Sequence, residues 1–154
     1  MTALHPTAAR FAERLHALGL DVSVDVLPDS TRTAVEAAAA VGCDVGQIVK
    51  SLVFVRGEQP IMVLCAGDRR VAAERLGLRA ASADQARSWT GFSIGGIPPL
   101  GHDRPLETLI DSSLRRFATV WCAAGTPHAV FEVDTDGLIA AIPGGAVIDV
   151  AAAM

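Results

Sequence analysis

Thirteen basic residues occur in this 154-residue chain, and only one of them, Lys50, is a lysine. It stands in the apolar run Ile48-Val49-Lys50-Ser51-Leu52-Val53-Phe54-Val55. Alternation there divides the side chains between two faces, Ile48, Lys50, Leu52 and Phe54 against Val49, Ser51, Val53 and Val55. Both faces are apolar, as in a strand covered on both sides. An ammonium in such a place either snorkels to an edge or meets an acid or an anionic ligand, because a dry, unpaired charge is prohibitively costly. The first alternative is a structural lysine near a strand end. The second is a cation at a cavity mouth, holding a phosphate or carbonyl oxygen where exclusion of water strengthens its pull.

Two glycine-rich segments are the other candidates. In Gly95-Gly96-Ile97-Pro98-Pro99-Leu100-Gly101-His102 the glycines permit close backbone approach and the prolines stiffen what lies between them. Such a loop suits recognition of a small polar group, and it equally suits an ordinary surface connection. Gly125-Thr126-Pro127-His128 joins two strand patterns, and His128 there either donates to a substrate oxygen or caps the turn. Asp111, before Ser112 and Ser113, reads as an N-cap or as a charge partner for Lys50.

Standard nucleophile and phosphate signatures are missing: there is no GxSxG elbow, no GxxxxGK[ST] loop and no GxGxxG after a strand. Cys43, Cys65 and Cys122 form no CxxC pair, and His5, His16, His102 and His128 form no HxxxH or HxH, so neither a metal nor another cofactor is expected. The three thiols read as reduced, partly buried groups of a cytoplasmic protein.

Composition narrows the classes. Apolar residues make up 51% and charged residues 19%, with a mean hydropathy of +0.38, which excludes a disordered, charge-rich chain. The longest uncharged stretches, residues 88–102 and 117–131, fall short of the roughly 20 apolar residues of a spanning helix, so no membrane partner is expected. The N-terminal MTALHPTAARFAERL carries acid and arginine within its apolar spacing, unlike a signal peptide. A net charge of −4 excludes a broad footprint for duplex DNA and leaves room only for a small, local nucleic-acid contact.

The elements that must position these residues follow from periodicity. Helical spacing covers residues 6–18, and Val22, Val24 and Val26 alternate as a strand. Thr33 and Glu36 form a capping box before an alanine-rich helix closed by Gly42. Strands over 48–55 and 60–66 are joined by a four-residue loop as a hairpin. Helices are expected over 71–76 and from Ser82 to about Trp89, then strands over 106–110, 118–123 and 129–133. Asp134 caps a helix over 138–142, and 146–150 reads as a last strand. The expectation is one compact α+β domain over 1–154, with a mixed, barrel-like sheet of six or seven strands and short flanking helices.

Taken in order, these pieces resemble the YbaK family, also found as the editing domain inserted in some bacterial prolyl-tRNA synthetases. The resemblance runs over nearly the whole chain. It rests on the helix from Thr33 to Glu36 onward, Val45-Gly46-Gln47-Ile48-Val49-Lys50-Ser51-Leu52-Val53-Phe54, residues 60–64 and Gly67-Asp68-Arg69-Arg70. It continues through a GxxxP loop from Gly95 to Pro99 with Gly101 after it, Asp111-Ser112-Ser113-Leu114, and Gly125-Thr126-Pro127-His128. Where many relatives carry Ser or Thr before the loop proline this chain has Pro98, which removes a hydroxyl.

The resemblance implies trans-editing: hydrolysis of the ester of a mischarged tRNA, of the cysteinyl- or alanyl-tRNA(Pro) type. Catalysis would be metal-free and substrate-assisted, through a ribose hydroxyl or a substrate thiol. Carried over by position, Lys50 would orient the terminal nucleotide or the ester, backbone groups of Gly95, Gly96, Ile97, Pro98, Pro99 and Gly101 would bind the aminoacyl end, and His128, with Gly125 and Thr126, would shape the amino-acid pocket. The partners implied are a tRNA acceptor end and prolyl-tRNA synthetase. Arg69, Arg70, Arg75 and Arg79 on one side, with Arg115 and Arg116 on another, are candidates for phosphate contacts or a solvated surface. Two further readings stand beside this one: a non-catalytic module that binds tRNA ends or nucleotides with a synthetase partner, and a small-molecule hydrolase using Cys43 or Cys122.

Overall fold

A computed structural model describes residues 4–28 and 33–152. The apolar stripe of the first segment buries Ala8, Phe11 and Leu15 on one side of α1 (Pro6–Ala17). His5 caps that helix by accepting the Thr7 N–H through Nδ1. A short strand, β1 (Val24–Val26), leads to α2 (Ala34–Val41), where the Thr33–Glu36 capping box is formed and Gly42 closes the helix in the left-handed region at φ 76°.

The central hairpin is β2 (Val49–Arg56) and β3 (Gln59–Ala66), in register from Val49↔Ala66 to Arg56↔Gln59. Its connection is tighter than the expected four residues. Arg56 and Gln59 pair with each other, and only Gly57 and Glu58 turn, with Gly57 at φ 62°. Beyond β3, a four-residue helix α3 (Ala73–Leu76) is shorter than expected, because Val71 bridges Ala151 in extended conformation and holds the helix off until Ala73. Then come β4 (Arg79–Ala80), α4 (Ala83–Thr90), a long irregular stretch, β5 (Glu107–Asp111), a 3-10 turn (Ser112–Arg116), β6 (Thr119–Ala123), β7 (Ala129–Asp134), α5 (Thr135–Ala141) and β8 (Ala146–Ile148).

The α+β class is as expected, but the single barrel-like sheet of six or seven strands is not. Among the described residues, eight strands form two open sheets, one of order β4-β2-β3-β5-β8 and one of order β1-β7-β6. The two sheets meet at one isolated bridge, Ile48↔Trp121. The physical reason is that β4, two residues long, pairs with β2 only at Phe54 and Val55, with Ala81 after it donating to Val53 O, while β6 bridges the chain only at Ile48, the residue before β2. Most of β2 between those points is therefore a free edge.

Side chains sort by face. Val49 and Val53 of β2 join Met62, Leu64, Phe11, Phe131 and Ile110 in the main core. Phe11 and Phe131 are fully buried with ring centroids 5.7 Å apart, and burial of each such side chain contributes about 1.5–3 kcal/mol. Leu52 and Phe54 pack on the opposite face with Ile61, Val63, Cys65, Leu76, Leu78 and Val150. Lys50 shares that second face, where its cross-strand neighbour is Cys65.

Candidate functional site

A cleft of about 550 Å³ opens along the free edge of β2. Lys50, Ser51 and Phe54 line it from β2, Ile48 from just before that strand, Trp121 and Cys122 from β6, and Ala34, Val35 and Val41 from α2. Gly95 and Ile97 close it from the irregular loop. Val35 and Ile94 also border the cleft and are 64% and 62% exposed, so two aliphatic side chains stand largely in water at its rim.

Lys50 is half-buried, and its Nζ donates to the backbone carbonyl of Arg69. An ammonium has three N–H groups, so capacity is left for a ligand. The alternative partner, Asp111, is 1% exposed and is used differently. Its Oδ2 accepts the Ala66 N–H at 3.1 Å and its Oδ1 the Ser113 N–H at 2.9 Å. The N-cap reading of Asp111 is thus what the structure holds, and among the described residues no ion pair joins it to Lys50.

The glycine–proline segment divides. Gly95 and Ile97 border the cleft, whereas Pro98, Pro99 and Leu100 are buried. Pro99, Gly101 and His102 line a separate apolar pocket of about 130 Å³. Gly96 supports the loop: its carbonyl accepts the Gly125 N–H at 2.9 Å, and a Cβ there would lie 2.7 Å from the Thr126 Cα. Gly96, Gly125 and Thr126 are therefore brought together behind the cleft wall. His128 is exposed, donates its backbone N–H to Thr126 Oγ1 and does not line the cleft.

The loop is also latched from outside. Arg14 of α1 donates to Gly101 O at 2.7 Å and to Asp103 Oδ1 at 3.0 Å. His102 Nε2 lies 2.7 Å from Pro98 O, and because a carbonyl only accepts, Nε2 carries the proton. Burial holds the His102 pKa below its usual value, favouring the neutral ring.

None of the thiols is activated. Burial pushes Cys65 up to about 11 and raises Cys122, which sits in the cleft wall, still further. Cys43 is raised as well, by burial and by the nearby Asp44 and Glu132 charges. All three stay protonated near neutrality, which weakens the reading of a cysteine hydrolase. Among the described residues, no three His, Cys, Asp or Glu side chains are grouped to hold a metal ion.

Of the candidate phosphate contacts, Arg75 is tied to the carbonyls of Asp149 and Ala151, and Arg116 to Asp68. Arg70, Arg79 and Arg115 remain exposed. Sequence reasoning passed over Ser51, whose Oγ is buried on the cleft without a hydrogen-bond partner among the described residues. It also passed over the walls supplied by α2 and Trp121. The alternation that put Ser51 opposite Lys50 was visible, but the free strand edge that exposes both to one cavity was not.

Residues 28–141 match the family model of the aminoacyl-tRNA editing domain. YwhH of Bacillus subtilis, an uncharacterized protein, is 33% identical over 111 residues, covering 68% of this chain and 71% of YwhH. A proline–tRNA ligase of Ligilactobacillus salivarius is 28% identical over 109 residues, which cover 66% of this chain but only 19% of the ligase. Among solved structures, a candidate trans-editing enzyme for prolyl-tRNA synthetase superposes with a TM-score of 0.90 at 42% identity, over 98% of this chain and 100% of that one.

Proposed function

Because the chain belongs to the aminoacyl-tRNA editing domain family, we propose that it hydrolyses the ester between a wrongly attached amino acid and the terminal adenosine of a tRNA. The observation that carries this reading is the cleft at the free edge of β2, with the chain's single lysine in its wall. Its volume lies in the range of about 300–1,000 Å³ found for small-ligand sites.

The need for such a reaction is energetic. A synthetase pocket separates side chains differing by a methylene by only about 1–3 kcal/mol, too little for accurate translation, so a second hydrolytic sieve is required. In the reaction, water adds to the ester carbonyl carbon, the bond to the ribose oxygen breaks, and that oxygen leaves with a proton. Lys50 holds the terminal phosphate or the ester carbonyl by charge, and the backbone at Gly95 and Ile97 faces the aminoacyl end. With every thiol protonated, the protein supplies position and charge, while a ribose hydroxyl or a substrate thiol assists bond breaking.

Proline tRNA is the proposed carrier, charged with cysteine or alanine, and prolyl-tRNA synthetase the proposed partner. The likeness to a proline–tRNA ligase and to a candidate trans-editing enzyme for that synthetase supports this choice. A panel of alanyl-, cysteinyl- and seryl-tRNA(Pro) incubated with purified protein tests the reading. Accelerated ester loss on one of them is expected. Tight binding without ester loss would instead mark a tRNA-end binding module.

A further inference from the structure

Lys50 is held by the Arg69 carbonyl, and the residue before it, Asp68, carries a second layer of charge. The Arg69 carbonyl belongs to a turn that begins where β3 ends. Within it Arg69 N–H donates to Ala66 O at 2.9 Å, and Gly67 N–H donates to Ile48 O at 2.8 Å. Those two bonds tie the turn to itself and to the start of β2. The outer side of the turn is gripped by the 3-10 segment Ser112–Arg116. At one end of that segment the Asp111 carboxylate accepts the Ala66 N–H. At the other, Arg116 Nη1 and Nη2 donate to Asp68 Oδ2 and Oδ1 at 3.0 and 2.8 Å, a two-pronged fork on one carboxylate.

Arg116 is itself fixed on three sides. Its Nε donates to Ser113 O at 2.7 Å, and its guanidinium lies 5.0 Å from the Phe117 ring centroid. Gly46 lies so close that a Cβ there would stand 3.1 Å from Arg116 Nη2 and from Asp68 Cγ. The pair therefore joins three segments: the turn before β2, the turn after β3 and the segment after β5.

We propose that Asp68 and Arg116 form a positioning clamp that sets the Arg69 carbonyl and, through it, the place of the Lys50 ammonium in the cleft. This deepens the role given above to Lys50 and rests on it for the catalytic readout alone. Arg116, a candidate phosphate contact on sequence grounds, is committed to this internal pair instead. Neither residue lines the cleft, so both act through Lys50.

Because Lys50 is the sole lysine, a single side-chain ammonium resonance reports its position in ¹⁵N-labelled protein. The test compares wild type, Arg116→Met, Arg116→Lys and Asp68→Asn, each with and without Lys50→Ala. In Arg116→Met the Lys50 ammonium signal should shift and lose its restricted motion while the backbone spectrum stays folded. Deacylation kcat should fall about tenfold with KM little changed, as expected when a charge is displaced rather than removed. Arg116→Lys keeps the charge but loses the fork, so it should recover only part of that loss. In the Lys50→Ala background the same changes should cost less than about twofold more.

An unchanged Lys50 resonance in Arg116→Met, or fully additive losses in the double variants, would overturn the clamp. If Arg116→Met does not fold, Asp68→Asn, which keeps the side-chain shape, decides by the same two readouts. Failure of the wild type to deacylate any tRNA, or full activity in Lys50→Ala, would instead remove the reading of the site and leave the resonance to decide the clamp.

Discussion

The ammonium of Lys50 rests on the backbone carbonyl of Arg69, while the carboxylate of Asp111 is spent on the N–H groups of Ala66 and Ser113. The one lysine is therefore placed by a neutral acceptor, and among the described residues no acid pairs with its charge. Such a cation keeps its full attraction for an anionic or polarised ligand, which a salt bridge would have diminished.

Lys50→Ala should lose about 100-fold or more in deacylation rate, the scale of removing one electrostatic stabiliser. Thermal unfolding should change little, because the variant breaks one half-buried hydrogen bond to the Arg69 carbonyl and, among the described residues, leaves no acid unpaired. Lys50→Arg should recover only part of the rate, since a planar fork does not replace a compact ammonium. Measured kcat/KM and Tm for both variants check this, and near-wild-type turnover in Lys50→Ala would remove the assignment.

Gly96→Ala should destabilise the fold by about 1–3 kcal/mol, because the new methyl meets the Thr126 backbone and neither loop can retreat freely. Urea unfolding measures the loss. At temperatures where the variant remains folded, deacylation should also drop, since Gly95 and Ile97 flank the altered residue. An unchanged urea midpoint would mean that the two loops are not packed as described.

His102 makes stability fall with acidity. Its folded pKa lies below the usual value of about 6.5, chiefly through burial, so the unfolded chain binds the proton more readily. The stabilisation is fully present above that value and is lost as pH falls through it toward the folded pKa. Relative to His102→Gln, which can still donate to Pro98 O, the wild type should lose Tm between pH 7.5 and about 5.5. Parallel pH profiles would rule the effect out.

Asp68 carries the same sign in a lower window. Its hydrogen bonds from Arg116 hold the carboxyl below the ordinary carboxylate range, so the pair contributes above about pH 4 and fades as pH falls further. The Tm advantage of wild type over Asp68→Asn at pH 7 should shrink below about pH 4. High salt should reduce the advantage too, because the pair is partly exposed to solvent.

Thiol reagents should label Cys43 first, since Cys65 and Cys122 are buried and protonated. Deacylation should survive that labelling. Loss of activity on modifying Cys43 alone, with the tRNA still bound, would favour a thiol mechanism over the one proposed.

The elements were legible where they depend on neighbours in the chain. The capping boxes at Thr33 and Ser82, the stripe Ala8, Phe11 and Leu15, and the paired runs of β2 and β3 appear almost where periodicity placed them. A two-residue strand such as Arg79–Ala80 is too short to show a period, so β4 was not visible. Nor was the division into two sheets, which depends on which edges meet. The candidate site was legible in Lys50 and Gly95, which line the cleft and whose surroundings in sequence mark them out. It was not legible in Ser51 or in the Asp68–Arg116 pair, because an orphaned hydroxyl and an ion pair 48 positions apart in sequence exist only once the chain has folded.

The free edge of β2 has a consequence outside chemistry. An uncovered strand rich in valine, leucine and phenylalanine is a template on which another chain can add a strand, and natural sheets discourage this with a charge, lysine above all. Lys50 stands on that edge. An apolar residue in its place should therefore favour edge-to-edge association at high concentration, which light scattering would detect.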